Sequence, residues 1–267
     1  MDTKLLSIAG FTIAMRFHRS TAPLYEKNFK DRLLYLYQGF SVAREKKQSI
    51  HYTIDFVERD NFETVIQKEG KKYFINCFEE KSKNHTVTFY HISIVQFEFL
   101  LRKILHTLLN VHDGMLLHAS ASIIDGKAYL FLGKSGAGKS TIAKLFIEQY
   151  PRVADDTVIL KKEDGGFFVY RTPLKEKRPF AEKTYNRLPL GKVFFLRKAS
   201  LHKVTKLQEK EYILQNFLEH GFFLEEFQME KEMLWVLNFV NNWQEFYTLS
   251  FSLQNPESMI ELVANTV

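Results

Sequence analysis

Gly133-Lys134-Ser135-Gly136-Ala137-Gly138-Lys139-Ser140, with Thr141 directly behind it, is the stretch on which the reading of this 267-residue chain turns. Two glycines, a lysine and a serine stand at the spacing G-x-x-x-x-G-K-S, and Gly136 adds a third glycine inside the loop. A polyphosphate needs several hydrogen-bond donors aimed at it at close range, and backbone amides approach that closely only where β-carbons are few. A helix beginning at Lys139 turns the positive end of its dipole toward the same anion. In such a loop the residues from Gly133 to Thr141 wrap the phosphates, Lys139 reaches the β and γ oxygens, and Ser140 offers its hydroxyl to Mg²⁺. The expected ligand is ATP or a similar nucleoside triphosphate, with Mg²⁺.

The flanks suit this loop. Leu116 to Ile124 has a strand pattern, Asp125-Gly126 is a strong two-residue turn signal, and Ala128 to Leu132 is the returning strand that enters the loop. If Ile124 faces Lys127 across that turn, continuing the count sets His118 opposite Gly133 at the loop's mouth. His118, Ser120 and Ser122 then share one face, and Leu117, Ala119, Ala121 and Ile123 the apolar one. A histidine in a strand serves structure as often as chemistry, so the register alone leaves the role of His118 open. Beyond the loop a helix is expected from about Lys139 to Gln149, stopped near Pro151. Asp155-Asp156 follows fifteen residues after Ser140, just ahead of an apolar strand, Thr157 to Leu160. Phosphoryl transfer wants one carboxylate on the metal and one group to accept the attacking hydroxyl's proton, which two adjacent acids could divide; the plainer alternative is a solvated turn.

The rest of the chain is legible as elements rather than as chemistry. Strand alternation appears in Ile50 to Phe56, Tyr73 to Phe78 and Thr86 to Ile92, the last two joined across Lys81-Ser82-Lys83-Asn84. Ile94, Phe97, Leu101, Ile104, Leu105 and Leu108 recur at helical spacing and predict an amphipathic helix. Downstream, Gly166 to Tyr170, Lys192 to Leu196 and Phe246 to Leu253 read as strands. Glu209 to Leu218 and Glu230 to Val240 read as helices, and Pro256 opens a last one. Trp235 and Phe239 are expected in the core.

Composition excludes several classes. Only six residues are Pro and 45% are hydrophobic, a folded rather than disordered balance. The apolar stretches Leu5 to Met15 and Phe97 to Leu109 are too short to span a bilayer, so no membrane anchor is expected. A single cysteine, Cys77, rules out an internal disulfide, suits a reducing cytoplasm, and is expected in the core. The net charge is +6, but seven Lys or Arg against two Glu between Arg171 and Lys192 account for most of it. A concentrated basic segment fits local phosphate handling better than a nucleic-acid face. Other phosphate-loop classes lack their marks: no second Ser/Gly-rich signature, no long apolar strand ending in Asp-Glu, and no Asn-Lys-x-Asp segment is present.

Taken together, Leu116-Leu117-His118-Ala119-Ser120-Ala121, Asp125-Gly126-Lys127, the loop Gly133 to Thr141, and Ala154-Asp155-Asp156 resemble the HPr serine kinase/phosphorylase family, and more closely its shorter HPr-kinase-related relatives. In that family a histidine precedes the phosphate loop by a similar interval, and the loop helix leads to an Asp-Asp pair. The resemblance spans about residues 114 to 267, continuing more faintly through Tyr170-Arg171-Thr172-Pro173, Lys192 to Leu196 and Tyr247 to Phe251. It implies a catalytic domain with the fold of phosphoenolpyruvate carboxykinase, Lys139 on the triphosphate, Ser140 on Mg²⁺, Asp155 and Asp156 in the base and metal roles, and His118 beside the phosphates. Relatives in the family assemble into oligomers. The Glu-Ile-Arg-Gly-Leu-Gly-type signature of the full kinase/phosphorylases is missing downstream of Asp156, so the resemblance does not extend to phosphorolysis or to HPr as substrate. The basic segment stands in its stead, and Lys175, Lys177 and Arg178 are candidates for a mobile arm over phosphates or an acidic partner.

The expected architecture is therefore a mixed α/β chain, α+β-like. An accessory α+β domain over residues 1–112 recognises the acceptor, and an HPr-kinase-like phosphate-loop domain covers residues 113–267. The expected activity is Mg-ATP-dependent transfer to a hydroxyl, a serine of a protein or peptide, with Asp155 as base and Asp156 on the metal. A kinase of free serine or a sugar, and a nucleotide sensor without transfer, are the alternatives.

Overall fold

A computed structural model describes residues 1–19, 21, 23–43, 48–58, 66–69, 72–75, 77–90, 92–174, 187–219 and 226–266. The chain is mixed α/β and forms two compact units that divide between Ile104 and Leu105, inside a helix rather than at the turn near residue 113. No helix among the described residues is long and apolar enough to cross a membrane.

The first unit opens with β1 (Asp2–Ile8) and β2 (Phe11–Phe17), then α1 (Pro23–Leu36), β3 (Ser41–Val42) and β4 (Tyr52–Val57). It continues with β5 (Ile66–Glu69), β6 (Lys72–Ile75), β7 (Phe78–Ser82), β8 (His85–Phe89) and α2 (Ile94–Leu109). The apolar run Leu5 to Met15 is a hairpin: Ala9 and Gly10 both have positive φ, 51° and 83°, the conformation of a tight two-residue turn whose twist matches its strands. Six strands line up as β3-β1-β2-β4-β8-β7, with β2, β4 and β8 mutually parallel along the row. Tyr73 to Phe78 is not one strand; β6 pairs with β5, and β7 pairs with β8 across Lys83-Asn84. Phe56 stacks on Phe17 at 4.8 Å and packs against Phe29, Tyr90 and Phe97, so one ring cluster fills the core. Cys77 is buried there, as expected, and burial raises its thiol pKa. The α2 periodicity is borne out: Phe97, Leu101, Ile104, Leu105 and Leu108 are buried. Its start is capped reciprocally, the Ser93 amide donating to Gln96 Oε1 at 2.8 Å and the Gln96 amide to Ser93 Oγ at 3.2 Å.

The second unit holds β9 (Gly114–His118), β10 (Ser120–Ile124), β11 (Lys127–Leu132), α3 (Lys139–Phe146), β12 (Arg152–Ala154), β13 (Thr157–Glu163) and β14 (Gly166–Arg171). After these come β15 (Arg187–Lys198), β16 (Lys203–Lys206), α4 (Lys210–Leu218), α5 (Glu226–Asn242), β17 (Phe246–Phe251) and α6 (Pro256–Ala264). The strand order is β12-β10-β11-β15-β14-β13-β9, with β17 on the second half of β15 and β16 beyond it. β15 belongs to two sheets, pairing through Arg187 to Pro189 with β14 and from Leu190 onward with β11 and β17. The segment expected as one strand from Leu116 to Ile124 is two strands that part at Ala119. β9 pairs with β13 and β10 with β11 and β12, so the chain steps from one sheet to the other there. At Asp155-Asp156 the chain makes the same step, from β12 into β13.

Alternation along β11 and β15 separates two cores. Leu130, Leu132, Val193 and Phe195 face the β9/β13/β14 sheet with α4 and α5, whereas Phe131, Phe194 and Leu196 face α3 and α6. Phe239 is fully buried in the first core, and Trp235 stacks on it at 5.6 Å.

Candidate functional site

The glycine loop leaves β11 at the carboxyl ends of three mutually parallel strands, β11, β15 and β17. Open α/β sheets collect ligands at that edge, since strand ends there leave a crevice and helix N-termini point into it. α3 starts from Gly138, whose φ of 109° disfavours any L side chain and whose hydrogen-bearing face lies so near Phe251 that a β-carbon would sit 2.6 Å from the ring. Gly136, at φ 79°, turns the exposed tip of the loop. Both positions therefore demand glycine, one for packing and both for backbone conformation. Ser135 and Ser140 are exposed, and Thr141 is half-buried.

Lys139 is buried, with 7% of its surface exposed, and its ammonium bends back along the loop. Nζ donates to the Gly133 carbonyl at 2.5 Å and to the Lys134 carbonyl at 3.5 Å. A buried ammonium is retained only where oxygens surround it, and carbonyls of its own loop fill that role here. On the other side of the helix start, Ser120 Oγ donates to the Lys139 carbonyl at 3.3 Å. Ser120 is the residue that follows the step at Ala119, so the sheet corner is tied to the first turn of α3.

That corner gathers the polar residues the sequence singled out. His118 ends β9 and is paired in register with Thr157, so it does not face Gly133; the break at Ala119 removes it from the β10–β11 ladder. Its Nδ1 lies 3.2 Å from Asp156 Oδ1, and both side chains are about three-quarters buried. Thr157 Oγ1 donates to the second Asp156 oxygen at 3.1 Å. Asp155 points elsewhere: Arg152 Nη1 donates to its Oδ2 at 2.6 Å. Among the described contacts the adjacent acids differ, Asp156 lying beside a histidine and Asp155 beside a guanidinium. Lys175, Lys177 and Arg178 lie outside the described residues.

Sequence reasoning gave no site role to two arginines, Arg152 and Arg171. Arg152 stands three residues before Asp155, close enough to have been paired with it on spacing alone. Arg171, buried to 7% exposure, donates from Nη2 to the Arg152 carbonyl at 2.6 Å and so braces β12 from β14; no local signal announces it, because its partner is nineteen residues away. Among the described residues no three His, Cys, Asp or Glu gather in a group able to hold a metal. A divalent cation at the loop would take Ser140, one carboxylate of the pair and phosphate oxygens, the way Mg²⁺ is ordinarily bound with nucleotides.

No curated protein matches the chain. Among solved structures it is similar to the Hpr(Ser) kinase/phosphatase from Coxiella burnetii, at 15% identity over 56% of this chain and 94% of that one, with a TM-score of 0.32. Residues 79–234, more than half of the chain, match the family model described as SynChlorMet cassette protein ScmC, and the chain belongs to that family.

Proposed function

We propose that the chain is a Mg-ATP-dependent kinase with an HPr-kinase-like phosphate-loop domain, which transfers the γ-phosphoryl group to a hydroxyl, a serine of a protein or peptide. One observation carries this reading: the Lys139 ammonium, folded against the first carbonyls of a glycine loop, lies at the start of a helix whose first turn is bonded to the corner bearing His118 and Asp156. A cation to neutralise the phosphates and a positioned carboxylate are parts that phosphoryl transfer requires, and Lys139 and Asp156 can supply them. The antiparallel approach of β10 to β11 also supports it, since the resemblance implies a hairpin leading into the loop rather than a crossover.

In this reading the acceptor oxygen attacks the γ-phosphorus, the bond from that phosphorus to the β–γ bridging oxygen breaks, and ADP leaves. The hydroxyl proton passes to a carboxylate. Sequence reasoning assigns that proton to Asp155 and the metal to Asp156. The contacts favour the reverse, because Asp155 is occupied by Arg152 while Asp156 has a histidine beside it to steady its orientation. Asp156 therefore accepts the proton and His118 positions it; Ser140 and Asp155, once released from Arg152, would hold Mg²⁺, which would supply charge neutralisation on the phosphates. Lys139 exchanges its loop carbonyls for the transferred phosphoryl oxygens. The lone buried Cys77 suits a cytoplasmic setting.

Titration calorimetry with Mg-ATP tests the foundation. The parent protein is expected to bind, and Lys139→Ala to bind at least about tenfold more weakly, the worth of one charge-assisted hydrogen bond. Equal heats from the two proteins, or none from either, would overturn the proposal.

A further inference from the structure

Across the loop from the His118–Asp156 corner lies a cavity of about 360 Å³ between the loop, the end of β15 and α4. Gly133 and Lys134 line it from the loop, the exposed Arg197 from the strand end, and Tyr212, Gln215 and Glu219 from α4. These two loop residues are also the ones whose carbonyls hold the Lys139 ammonium. A loop lysine of this kind serves the β and γ phosphates. The cavity therefore adjoins the end of the loop where the transferred phosphoryl group would lie. β10 and β15 are the two immediate neighbours of β11, so the corner and the cavity lie on either side of the loop, two strand spacings (~10 Å) apart. A segment seated in the cavity would bring its serine to Asp156 by extending across the loop's mouth.

Beside the apolar Ala137, Phe195 and Leu196, the cavity's polar groups suit a charged, directional ligand. Arg197 Nη2 donates to the Tyr212 hydroxyl, and the guanidinium sits 5.3 Å from the centre of the Tyr212 ring. That double contact pre-orients a planar fork of donors, the geometry that binds a carboxylate through two bonds. Lys134 Nζ lies 3.3 Å from Glu219, and this ion pair joins the loop to the end of α4. Its lysine side chain is 77% exposed, so the pair is easily parted. The cavity is open to solvent on one side, so a chain segment can enter it lengthwise.

Resting on the kinase reading above, we infer that this cavity takes the acceptor peptide, and that Arg197, held by Tyr212, selects an acidic side chain next to the acceptor serine. Glu219 and Lys134 separate as the segment enters; Lys134 turns to the incoming carboxylate, and Glu219 repels a second one. Arg197 is a specificity residue and takes no part in holding the nucleotide.

Degenerate serine-centred peptide pools with acidic, neutral or basic flanking residues, together with free amino acids and sugars, are incubated with labelled ATP and either the parent protein or Arg197→Glu. The parent is expected to label the acidic pool at least about tenfold more than the basic one, the discrimination a single charge-assisted pair provides. Arg197→Glu is expected to lose or invert that preference while Mg-ATP heats stay unchanged, and Tyr212→Phe to weaken it. Even labelling of all peptide pools, labelling of a sugar or free amino acid instead, or an acidic preference that survives Arg197→Glu overturns the inference. Mg-ATP binding without label in any pool overturns it too, and leaves nucleotide binding standing. Absent Mg-ATP binding sinks the kinase reading beneath it.

Discussion

Two histidine–carboxylate pairs in the second unit invite comparison. His106 on α2 lies 2.8 Å from Glu232 on α5, with both side chains 2% exposed, whereas His118 lies 3.2 Å from Asp156 with 28% and 27% exposed. The chemistry is nearly the same, but the settings differ. The first pair joins two helices in the interior, where each side chain satisfies one polar atom of the other. The second stands at a step between sheets and is partly open to solvent. Burial, more than residue type, separates the two pairs.

Mutation should pull the two apart. The largest effect is expected from Asp156→Asn on transfer: a roughly hundredfold to ten-thousandfold fall in turnover, the usual contribution of a positioned base, measured with labelled ATP and whichever acceptor pool is labelled. Its melting temperature should stay within about 4 °C of the parent, because a part-exposed pair contributes about 1 kcal/mol or less. Normal turnover in Asp156→Asn would remove the base assignment.

Glu232→Ala should behave in the opposite way. Leaving His106 buried without its partner costs about 2–4 kcal/mol, which calorimetry should register as a melting temperature lower by roughly 5–10 °C, with Mg-ATP affinity retained. Replacing both His106 and Glu232 by Leu should recover most of that loss, since apolar residues of similar size need no partner. A stable Glu232→Ala, or one that fails to bind Mg-ATP while still folded, would break the contrast.

Glu163 is an intermediate case and gives the smallest effect. Burial pushes its carboxyl up, but hydrogen bonds from Tyr170 and Arg187 and the charge of Lys161 outweigh that and hold it below the ordinary 4.5. The native state therefore gives up this proton more readily than the unfolded chain does. The stability it contributes is complete above pH 4.5 and is lost as pH falls further. Glu163→Gln should lower the melting temperature by about 2 °C at neutral pH, and the two proteins should converge under more acidic conditions, as scanning calorimetry at several pH values can decide. A gap that widens on acidification would show the sign to be wrong.

Much of the second unit was legible in the chain, and the exceptions follow from what periodicity encodes. Asp125-Gly126 carries the expected turn, with Asp125 at φ 49° and Gly126 at φ 73°, and the expected register holds from Ser120↔Phe131 to Ile124↔Lys127. The step at Ala119 was hidden because Leu117, Ala119 and Ala121 all face one apolar core although the strand changes partners between them. Alternation records which face is buried and says nothing of which strand lies alongside. β12 escaped notice as three residues behind Pro151, and β16 because Lys203 to Lys206 offers two lysines and little apolar surface. The role of His106 has no local signal, since its partner lies 126 residues away.

The amino-acid order by itself determined the loop, the helix that follows it, the turn before it and the amphipathic face of α2, because each depends on residues within a few positions of one another. Tertiary structure alone decided that Asp156 meets His118, that Ser120 binds the carbonyl of Lys139, and that Arg197 lines one cavity with the loop. Those pairings arise where strands distant in the chain lie side by side, and packing, not local conformational preference, selects which side chains meet there.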